Sequence, residues 1–387
     1  MHLAASSVAA VVLLAATPVL GQEGAPVPGE IDVDILLNYY LQDGEHSPVT
    51  GGVGTEELDV VAPVVVVRWS PAGVWTFDAQ LGLDQITSAS TDNMDLGEAS
   101  VTSASRIDTR AYTTLGAGRK LGGQDLAWRL GFSNEYDYVS IMAGVDWSRS
   151  FRRQNTTLSA ALRHYEDTID LYGIDGVNRG EDSRRTTDLD LTWTEVLGRR
   201  TVASAELSVS SQSGFLATPF HEVILASSPD FPEGERVAER LPDSRLRTAL
   251  GLRLNHAFSR RYVQRLLLRF YEDDWGLTAS TLELEPWFRL PTARELWIYP
   301  ILRYHDQSAA DSFGLPGTLT ADDPFATADR DLSGFTSRKL GLGLRLNLGG
   351  RGGTAGRLRF FETRATTYSR DDGFESFSIS LGQGFRF

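Results

Sequence analysis

The stretch IDVDILLNYYLQ, residues 31–42, decides the fold, because apolar and polar side chains alternate along it. Successive side chains of a β-strand point to opposite faces, so a period of two indicates a strand. The same alternation recurs in LAWRLGFSNEYDY, residues 126–138, and in FSISLGQGFRF, residues 377–387. Each of these segments therefore predicts a strand with one apolar face and one more polar face.

Segments of this kind number about sixteen, and most of them run about ten residues or more. Roughly ten residues is the length that a tilted strand needs to cross the hydrocarbon core of a bilayer. We predict strands at 31–42, 58–69, 74–85, 106–118, 125–137, 140–151, 156–165, 187–196, 201–211, 245–258, 262–271, 276–288, 295–305, 335–348, 356–367 and 375–387.

The connections between these segments alternate in length. Short turns follow the even strands, as at 70–73 and at the glycine-rich 349–354, whereas the longest connections, 212–244 and 306–334, follow odd strands. A soluble β-sandwich is the alternative, but it has no reason to place short turns at one end and long loops at the other. We predict an all-β fold, a transmembrane antiparallel β-barrel with short periplasmic turns and long extracellular loops.

Tryptophan supports this prediction, since aromatic residues collect at the two surfaces of a membrane. Seven of the eight tryptophans lie within a few residues of a predicted short turn, and tyrosines favour the other end. We expect these seven to form an aromatic girdle: Trp69, Trp75, Trp128, Trp147, Trp193, Trp287 and Trp297.

Composition excludes several classes of function. The chain has 387 residues and no cysteine, which excludes disulfides, cysteine-ligated metals and thiol nucleophiles. The formal net charge of -14 argues against nucleic acid as a partner. The apolar segment 3–20 ends in small residues and predicts a signal peptide. We expect a cleaved signal peptide at 1–21, a periplasmic segment at 22–30 and the barrel at 31–387.

The charge is polarised along the predicted topology. The long-loop windows together hold 35 acidic and 8 basic side chains, whereas the short-turn windows hold 12 basic and 2 acidic ones. An acidic outer face attracts cations, and a basic rim at the turns meets anionic lipid or an acidic partner. The sequence therefore distinguishes the two ends of the barrel by charge as well as by loop length.

Several motifs resemble a known family. The final GFRF, with Phe385 and Phe387, resembles the C-terminal signal by which bacterial outer-membrane barrels are recognised for assembly. GFLATPFHEV at 214–223, HYEDTIDLYG at 164–173 and YVQRLLLRFYEDDWGLTASTLELEPW at 262–287 are similar to domain-of-unknown-function family 3570. This resemblance implies a barrel in the outer membrane of a Gram-negative bacterium, and it implies no activity.

No motif for an enzyme is present: the chain lacks HExxH, G-x-S-x-G and a P-loop. We expect no enzyme, no catalytic residue, no metal centre and no cofactor. Acidic clusters at 166–182, 272–274 and 322–331 leave open loosely bound Ca²⁺ or Mg²⁺ that bridges to lipopolysaccharide phosphates. Solvated loops are the alternative for these clusters.

Charges on the polar face are the candidate functional residues, because lumen charges tune permeation. In a sixteen-stranded barrel the acidic and basic members fall on opposite walls and could face a water-filled lumen. The alternative is that these charges pair among themselves and help to plug the barrel. These predicted lumen-lining residues are Asp32, Asp34, Asp78, Asp84, Arg247, Arg253, Arg265 and Arg269.

The connection 212–244 is too apolar for a solvated loop, and we expect it to fold into or over the lumen through Phe215, Phe220, Ile224 and Phe231. A channel for small polar solutes is the first functional hypothesis. A non-conducting barrel that serves as a platform or sheath for a periplasmic or surface partner is the second. Expected partners are membrane lipid, lipopolysaccharide and the outer-membrane assembly machinery, with a homo-oligomer left open.

Overall fold

Sixteen long strands form the framework of the protein in a computed structural model that describes residues 29–71, 73–88, 91–95, 98–101, 107–173, 177–348 and 357–387. The predicted signal peptide lies outside the described residues. The strands are β1 (Ile31–Asp43), β2 (Leu58–Trp69), β3 (Trp75–Ser88), β4 (Ile107–Leu121), β5 (Gln124–Asn134), β6 (Tyr138–Phe151), β7 (Thr156–Tyr172), β8 (Asn178–Gly198), β9 (Thr201–Gly214), β10 (Ser244–Ser259), β11 (Tyr262–Asp273), β12 (Thr278–Arg289), β13 (Glu295–Gln307), β14 (Phe335–Asn347), β15 (Arg357–Arg370) and β16 (Glu375–Arg386).

Each strand pairs antiparallel with its neighbours in the chain, and β16 pairs with β1, so the sheet closes on itself. At the seam, the Ile31 amide donates to the Phe387 carbonyl at 3.0 Å and the Phe387 amide donates to the Ile31 carbonyl at 2.8 Å. Closure leaves no strand edge unpaired, which is what a bilayer demands of a sheet. The predicted sixteen-stranded antiparallel barrel is confirmed.

Smaller elements lie in the connections. Short strands pair at Gly54–Thr55 with Thr91–Asp95 and at Glu222–Ile224 with Arg236–Ala238, and a further strand at Glu98–Val101 extends the first pair. Turns of 3₁₀ helix occupy Arg152–Gln154 and Arg330–Leu332. Within the described ranges no helix is long and apolar enough to cross a membrane.

The β7–β8 hairpin is longer than the alternation predicts. Residues 166–172 and 178–186, expected in a loop, continue the two strands. Cross-strand ion pairs Arg184–Asp167 and Arg185–Glu166, each at 3.1 Å, join the extension. The outward side chains of the extension are polar, as at Glu166, Thr168 and Arg185, whereas Ile169 is buried on the inner face. The apolar outer face that marks a membrane strand therefore ends before the pairing ends.

Side chains alternate between the two sides of the wall as the period of two predicts. In β1, Asp32, Asp34 and Asn38 are buried on the lumen side, whereas Ile35 and Leu37 are exposed on the outside, where lipid would lie. The other strands also place apolar side chains outward, but β2 is apolar on its inner face as well. Leu58, Val60, Ala62, Val64 and Val66 are buried there and form two apolar clusters with Leu36 and Tyr40 of β1. The outer surface is consequently an apolar band, and the polar side chains point into the barrel.

Two members of the predicted girdle lie on the wrong face. Trp69, Trp75, Trp128, Trp147 and Trp193 point outward near the turns, but Trp287 and Trp297 point into the lumen. Trp287 shares its face with Glu285, to whose carboxylate its indole N–H donates at 3.0 Å. Proximity to a turn predicted how deep in the membrane these side chains lie. Whether a side chain points outward or into the lumen depends instead on its odd or even position along the strand.

The seam also carries buried charge on its inner side. The Asp32 carboxylate, 1% exposed, accepts from Arg386 Nε at 2.7 Å and Nη2 at 2.9 Å, and Arg359 Nη1 lies 3.6 Å away. Asp34 pairs with Arg68 at 2.6 Å and with Arg359. Four strands are therefore joined across the seam by side chains as well as by backbone.

We predict that Asp32→Ala destabilises the barrel by about 2–3 kcal/mol, because it removes the buried carboxylate that accepts two hydrogen bonds from the Arg386 guanidinium across the seam. Urea unfolding in lipid vesicles, followed by tryptophan fluorescence, measures the change. The control is Asp59→Ala, which removes an exposed carboxylate from the outer face of β2 and costs less than about 1 kcal/mol. Equal unfolding midpoints for the two variants would contradict the assignment.

Candidate functional site: the lumen and its cap

The lumen is lined unevenly. Toward the turns, small inward side chains on the wall from β5 to β8 border a cavity of about 410 Å³. Polar groups stand among them, notably Arg129, Asp146 and Asp190. The small residues at this wall include Ala127, Ser148, Ser159, Ala161 and Thr192. This cavity offers room for a solute on the turn side of the lumen, beside the ion pairs that Arg129 makes with Asp78 and Asp146.

The wall from β11 to β15 is filled by large side chains. Tyr299, fully buried, stacks on Trp287 with ring centroids 3.8 Å apart and donates its hydroxyl to Glu362. Glu362 also pairs with Arg345 at 2.9 Å and with Arg364 at 3.0 Å. The ring of Tyr299 lies over Gly343, where an added Cβ would stand 2.0 Å from Cζ. This wall is a packed polar core and leaves little room for solute.

Each predicted acidic residue of the lumen has a basic neighbour. Besides the seam pairs of Asp32 and Asp34, Asp78 pairs with Arg129 at 2.6 Å, and Asp84 lies opposite Arg110 in the β3–β4 register. Arg129 also contacts Asp146, which Arg163 meets at 2.7 Å. The acidic wall is therefore neutralised locally, as in the alternative in which lumen charges pair among themselves.

The predicted basic residues lie on the opposite side and also have local partners. Arg247 donates to Gln212, Arg265 stands 3.7 Å from Glu285, and Arg253 stands 4.0 Å from Glu206. Arg269 lies opposite Gly251 and Thr281 in the register. Paired charges produce a weaker electric field across the lumen than unpaired acidic and basic walls would. The field is therefore weaker than the separation of acidic from basic residues in the sequence suggested.

Three loops meet over the loop end of the barrel and form what we call the cap: residues 44–57 (β1–β2), 215–243 (β9–β10) and 308–334 (β13–β14). The Glu222 amide donates to the Val49 carbonyl at 2.9 Å. Arg330 donates to the Gly51 carbonyl through Nε at 3.0 Å and Nη2 at 2.6 Å. Since β1 and β9 stand eight strands apart on opposite walls, these contacts carry the cap across the mouth.

The cap has its own apolar core. Val223, Leu225, Ala326 and Ala328 are buried against one another, and backbone bonds between Arg240 and Ala326 at 2.8 and 3.0 Å hold the two longer loops together. A second cluster of Trp275, Leu277, Ala310 and Leu332 seats the cap on the ends of β11 and β12. Such packing gives the cap a defined structure.

Gly51 is the tightest point of the cap. Its φ of +61° is a left-handed conformation that favours glycine. An added Cβ would lie 2.2 Å from the Ala328 carbonyl oxygen. The β1–β2 loop can approach the β13–β14 loop this closely only because position 51 has no side chain.

Buried titratable groups occupy the interior of the cap. Glu239 accepts from the Thr218 amide at 2.7 Å and from the Thr327 hydroxyl, and it lies 3.6 Å from His221 Nδ1. Burial opposes the charged form of His221, but the Glu239 carboxylate outweighs it and raises the pKa of His221. Burial and the neighbouring Asp331 raise the pKa of Asp329 to about 6.

Glu56 extends this group toward β1. Its carboxylate accepts a hydrogen bond from Gln42 Nε2 at 2.7 Å. Burial, together with the charges of Asp331 and Asp329, raises the pKa of Glu56 to about 8, although Arg370 opposes the change. The cap therefore holds three groups whose protonated forms are favoured by folding.

The predicted mouth residues are placed as follows. Phe215, Phe220 and Ile224 are half-buried within the cap, and the backbone of 215–243 covers the mouth. Phe231 differs: it is 46% exposed on a turn closed by Ser228. The prediction did not include the β13–β14 loop, which also forms part of the cap. Its apolar residues Phe325, Ala326, Ala328 and Leu332 lie among acidic residues and form no continuous apolar run in the sequence.

One group of carboxylates outside the predicted acidic loops could hold a cation. Among the described residues, one group has oxygen atoms within 4.8 Å of one another: Asp108, Glu135 and Asp137, at the loop end of β4 and β5. Arg110 lies 3.4 Å from Glu135 and offsets part of this charge. In the predicted clusters, Glu166, Asp167 and Asp331 are instead paired with arginines.

The chain matches a known family. The family described as "Protein of unknown function (DUF3570)" matches residues 3–375. No curated protein matches the chain.

Solved structures similar to the chain include a bacterial polysaccharide outer membrane secretin, with 10% identity, a TM-score of 0.49 and coverage of 94% of this chain and 100% of that one. The translocator domain of the autotransporter NalP from Neisseria meningitidis has 10% identity, a TM-score of 0.42 and coverage of 99% and 96%. The outer membrane protein OpdK from Pseudomonas aeruginosa has 9% identity, a TM-score of 0.42 and coverage of 94% and 100%.

We predict that the cap loosens as pH rises from about 5 to about 9. A group whose pKa is raised by folding stabilises the folded state below its ordinary pKa and loses that contribution as pH rises through the folded value. For Glu56 this window runs from 4.5 to about 8, and Asp329 and His221 act in the same direction. Amide hydrogen exchange of 215–243, corrected for its intrinsic pH dependence, measures the loosening.

Glu56→Gln should reduce this pH dependence, because the amide stays neutral throughout. The control, Asp322→Asn, changes an exposed carboxylate of the β13–β14 loop and should leave the dependence as in the native chain. Exchange that is independent of pH in the native protein would show that these buried groups do not control the cap.

Proposed function

We propose that this chain, which belongs to the DUF3570 family of proteins of unknown function, is an outer-membrane channel for small polar solutes whose mouth is restricted by the cap. The observation that carries the proposal is the unevenly lined lumen. Small side chains and hydroxyl groups line the cavity beside β5–β8, whereas the wall at β11–β15 is filled. Such a strip lets a small hydrated solute pass along one side of the barrel.

Several features support a Gram-negative outer membrane as its location. The outer face is an apolar band, with exposed residues such as Leu81, Leu115 and Leu130, and the segment at 3–20 predicts export. Short turns characterise the periplasmic end of such barrels and long loops the extracellular end. We place the basic turn end in the periplasm and the cap outside, where its acidic surface would meet cations and lipopolysaccharide.

The lining suits polar solutes of low net charge. Acidic and basic groups along the passage are paired with each other, as in Asp146 with Arg129 and Arg163. A solute that carries a full charge would compete with these ion pairs, whereas hydroxyl and amide groups can exchange hydrogen bonds with the serine and threonine side chains of the wall.

The second hypothesis, a non-conducting platform for a partner, is favoured by one observation, the cap that crosses the mouth. If the cap and the filled wall together close the barrel, its surface loops become the functional part. Conductance separates the two functions, because a platform needs no ion flow. We assign no catalytic residue under either proposal.

We predict that Ala161→Trp lowers single-channel conductance in a planar bilayer by more than half, because the indole would occupy the cavity beside β7. The matched control is Leu162→Trp at the next position, whose side chain points outward and is 49% exposed. This control should conduct as the native chain does. Equal conductance of the two variants would place the passage elsewhere.

We predict that Gly51→Ala raises conductance or the frequency of open events, because the added methyl group separates the loops at Ala328. Gly317→Ala is the control: this glycine also has positive φ, but an added Cβ meets nothing within 4 Å. Deletion of 215–243 should give the largest conductance. A folded barrel that stays silent even after this deletion would refute the channel and support the platform.

A further inference from the structure

The outer face of β2–β5 carries an apolar groove near the turns. Its cavity volume is about 460 Å³. One cross-strand row there reads Trp69, Phe77, Ala117 and Trp128, and the next reads Val67, Ala79, Leu115 and Leu130. Ala117 and Ala79 are the small members of these rows and lie diagonally to each other. Together they form the floor of a trough between larger neighbours.

Aromatic rings bound this trough on its turn side. Trp69 stacks on Phe77 with centroids 5.6 Å apart, and Phe77 stacks on Trp75 at 6.2 Å. The ring of Trp75 reaches across β4 to within 6.4 Å of Trp128. The groove is therefore open toward the middle of the barrel and ends at an aromatic rim near the turns.

A cation stands on that rim. Arg119, two residues beyond Ala117 on the same face of β4, places its guanidinium 5.3 Å from the centroid of the Trp75 ring. Its side chain is exposed, and no carboxylate of the described residues forms an ion pair with it. Trp75 holds the arginine beside the groove and leaves its N–H donors available for a ligand.

We infer that this groove binds one anionic phospholipid, with an acyl chain on Ala79 and Ala117 and the phosphate on Arg119. The lining of the groove is apolar, as a hydrocarbon chain requires, and the charge at its end is opposite to that of the headgroup. Tryptophan rings lie between the two, at the depth where interfacial aromatics normally reside. A second copy of the chain could also cover this apolar surface. The apolar lining of the same groove on that copy would, however, offer Arg119 no negatively charged partner.

The dimensions agree with a lipid. From Leu115 to Arg119 the strand advances four residues, which is about 14 Å along the strand. At the usual strand tilt of about 35–45° this is about 10–11 Å along the membrane normal. Half of a hydrocarbon core is about 15 Å thick, so the groove and its arginine lie within one leaflet. We assign this leaflet to the periplasmic side, which holds the phospholipids, and this assignment rests on the orientation given under the proposed function. Binding of the lipid does not depend on that orientation.

Native mass spectrometry of the detergent-solubilised barrel tests the inference, with dioleoyl phosphatidylglycerol and dioleoyl phosphatidylethanolamine as probes. The native chain should retain one phosphatidylglycerol in preference to the zwitterionic lipid. Arg119→Gln should lower this retention about fivefold, the effect of one arginine near an anionic surface. Ala117→Phe should lower it as well, because the ring fills the trough.

Two controls match these variants. Arg149→Gln removes another outward arginine near the turns, which stacks on Phe151 at 5.0 Å. Ala205→Phe adds a ring at an outward alanine of β9, which lies opposite Trp193 and Leu252 and away from the groove. Both should retain lipid as the native chain does. All variants are first shown to be folded by their electrophoretic shift on boiling.

Equal retention of the two lipids, or an equal loss in Arg149→Gln, would overturn the inference. An oligomer of the native chain that Ala117→Phe converts to monomers would also overturn it, since the groove would then be a subunit contact. Conductance is independent of these results, so a silent channel that retains the lipid refutes only the proposed function.

Discussion

A strand in lipid must find a partner for every backbone N–H and C=O group, and the rest of this structure depends on that constraint. Sixteen strands meet it by closing β16 onto β1. Once the sheet is closed, each strand has one face toward lipid and one toward the lumen. The apolar outer band, the polar interior and the separation of turns from loops all follow from closure, because each is a property of one side or one end of a cylinder.

Closure also determines how the interior charges are arranged. Inward carboxylates and guanidinium groups on neighbouring strands approach within ion-pair distance, and a buried charge is costly unless it is paired. Asp32, Asp34 and Glu362 accordingly each contact at least two arginines. At β11–β15 the paired charges pack with the rings of Trp287 and Tyr299 and fill the wall. At β5–β8 the ion pairs of Arg129 and Arg163 stand among small residues, and a cavity remains there.

The sequence predicted the strands well because the period of two is a local signal, visible in 31–42 without any knowledge of the partner strands. It predicted the inward charges for the same reason. Contacts between distant segments have no such signal. Trp287 was assigned to the girdle because its distance from a turn can be read from the local sequence. Its stacking on Tyr299 of the next strand cannot be read in this way. The cap was foreseen only for the loop with an obvious apolar run, and the acidic β13–β14 loop that completes it was not.

The cap contacts also bear on the order in which the molecule is assembled. Arg330 and the Gly51 carbonyl are 279 residues apart in the chain, and bringing such distant segments together carries a large entropic cost until another structure holds them close. Formation of β1 through β16 as a closed ring supplies that proximity. The cap is thus a late element of folding, and a barrel with an unfinished seam would present an uncovered mouth. Its presence on a molecule is a mark that the ring beneath it is complete.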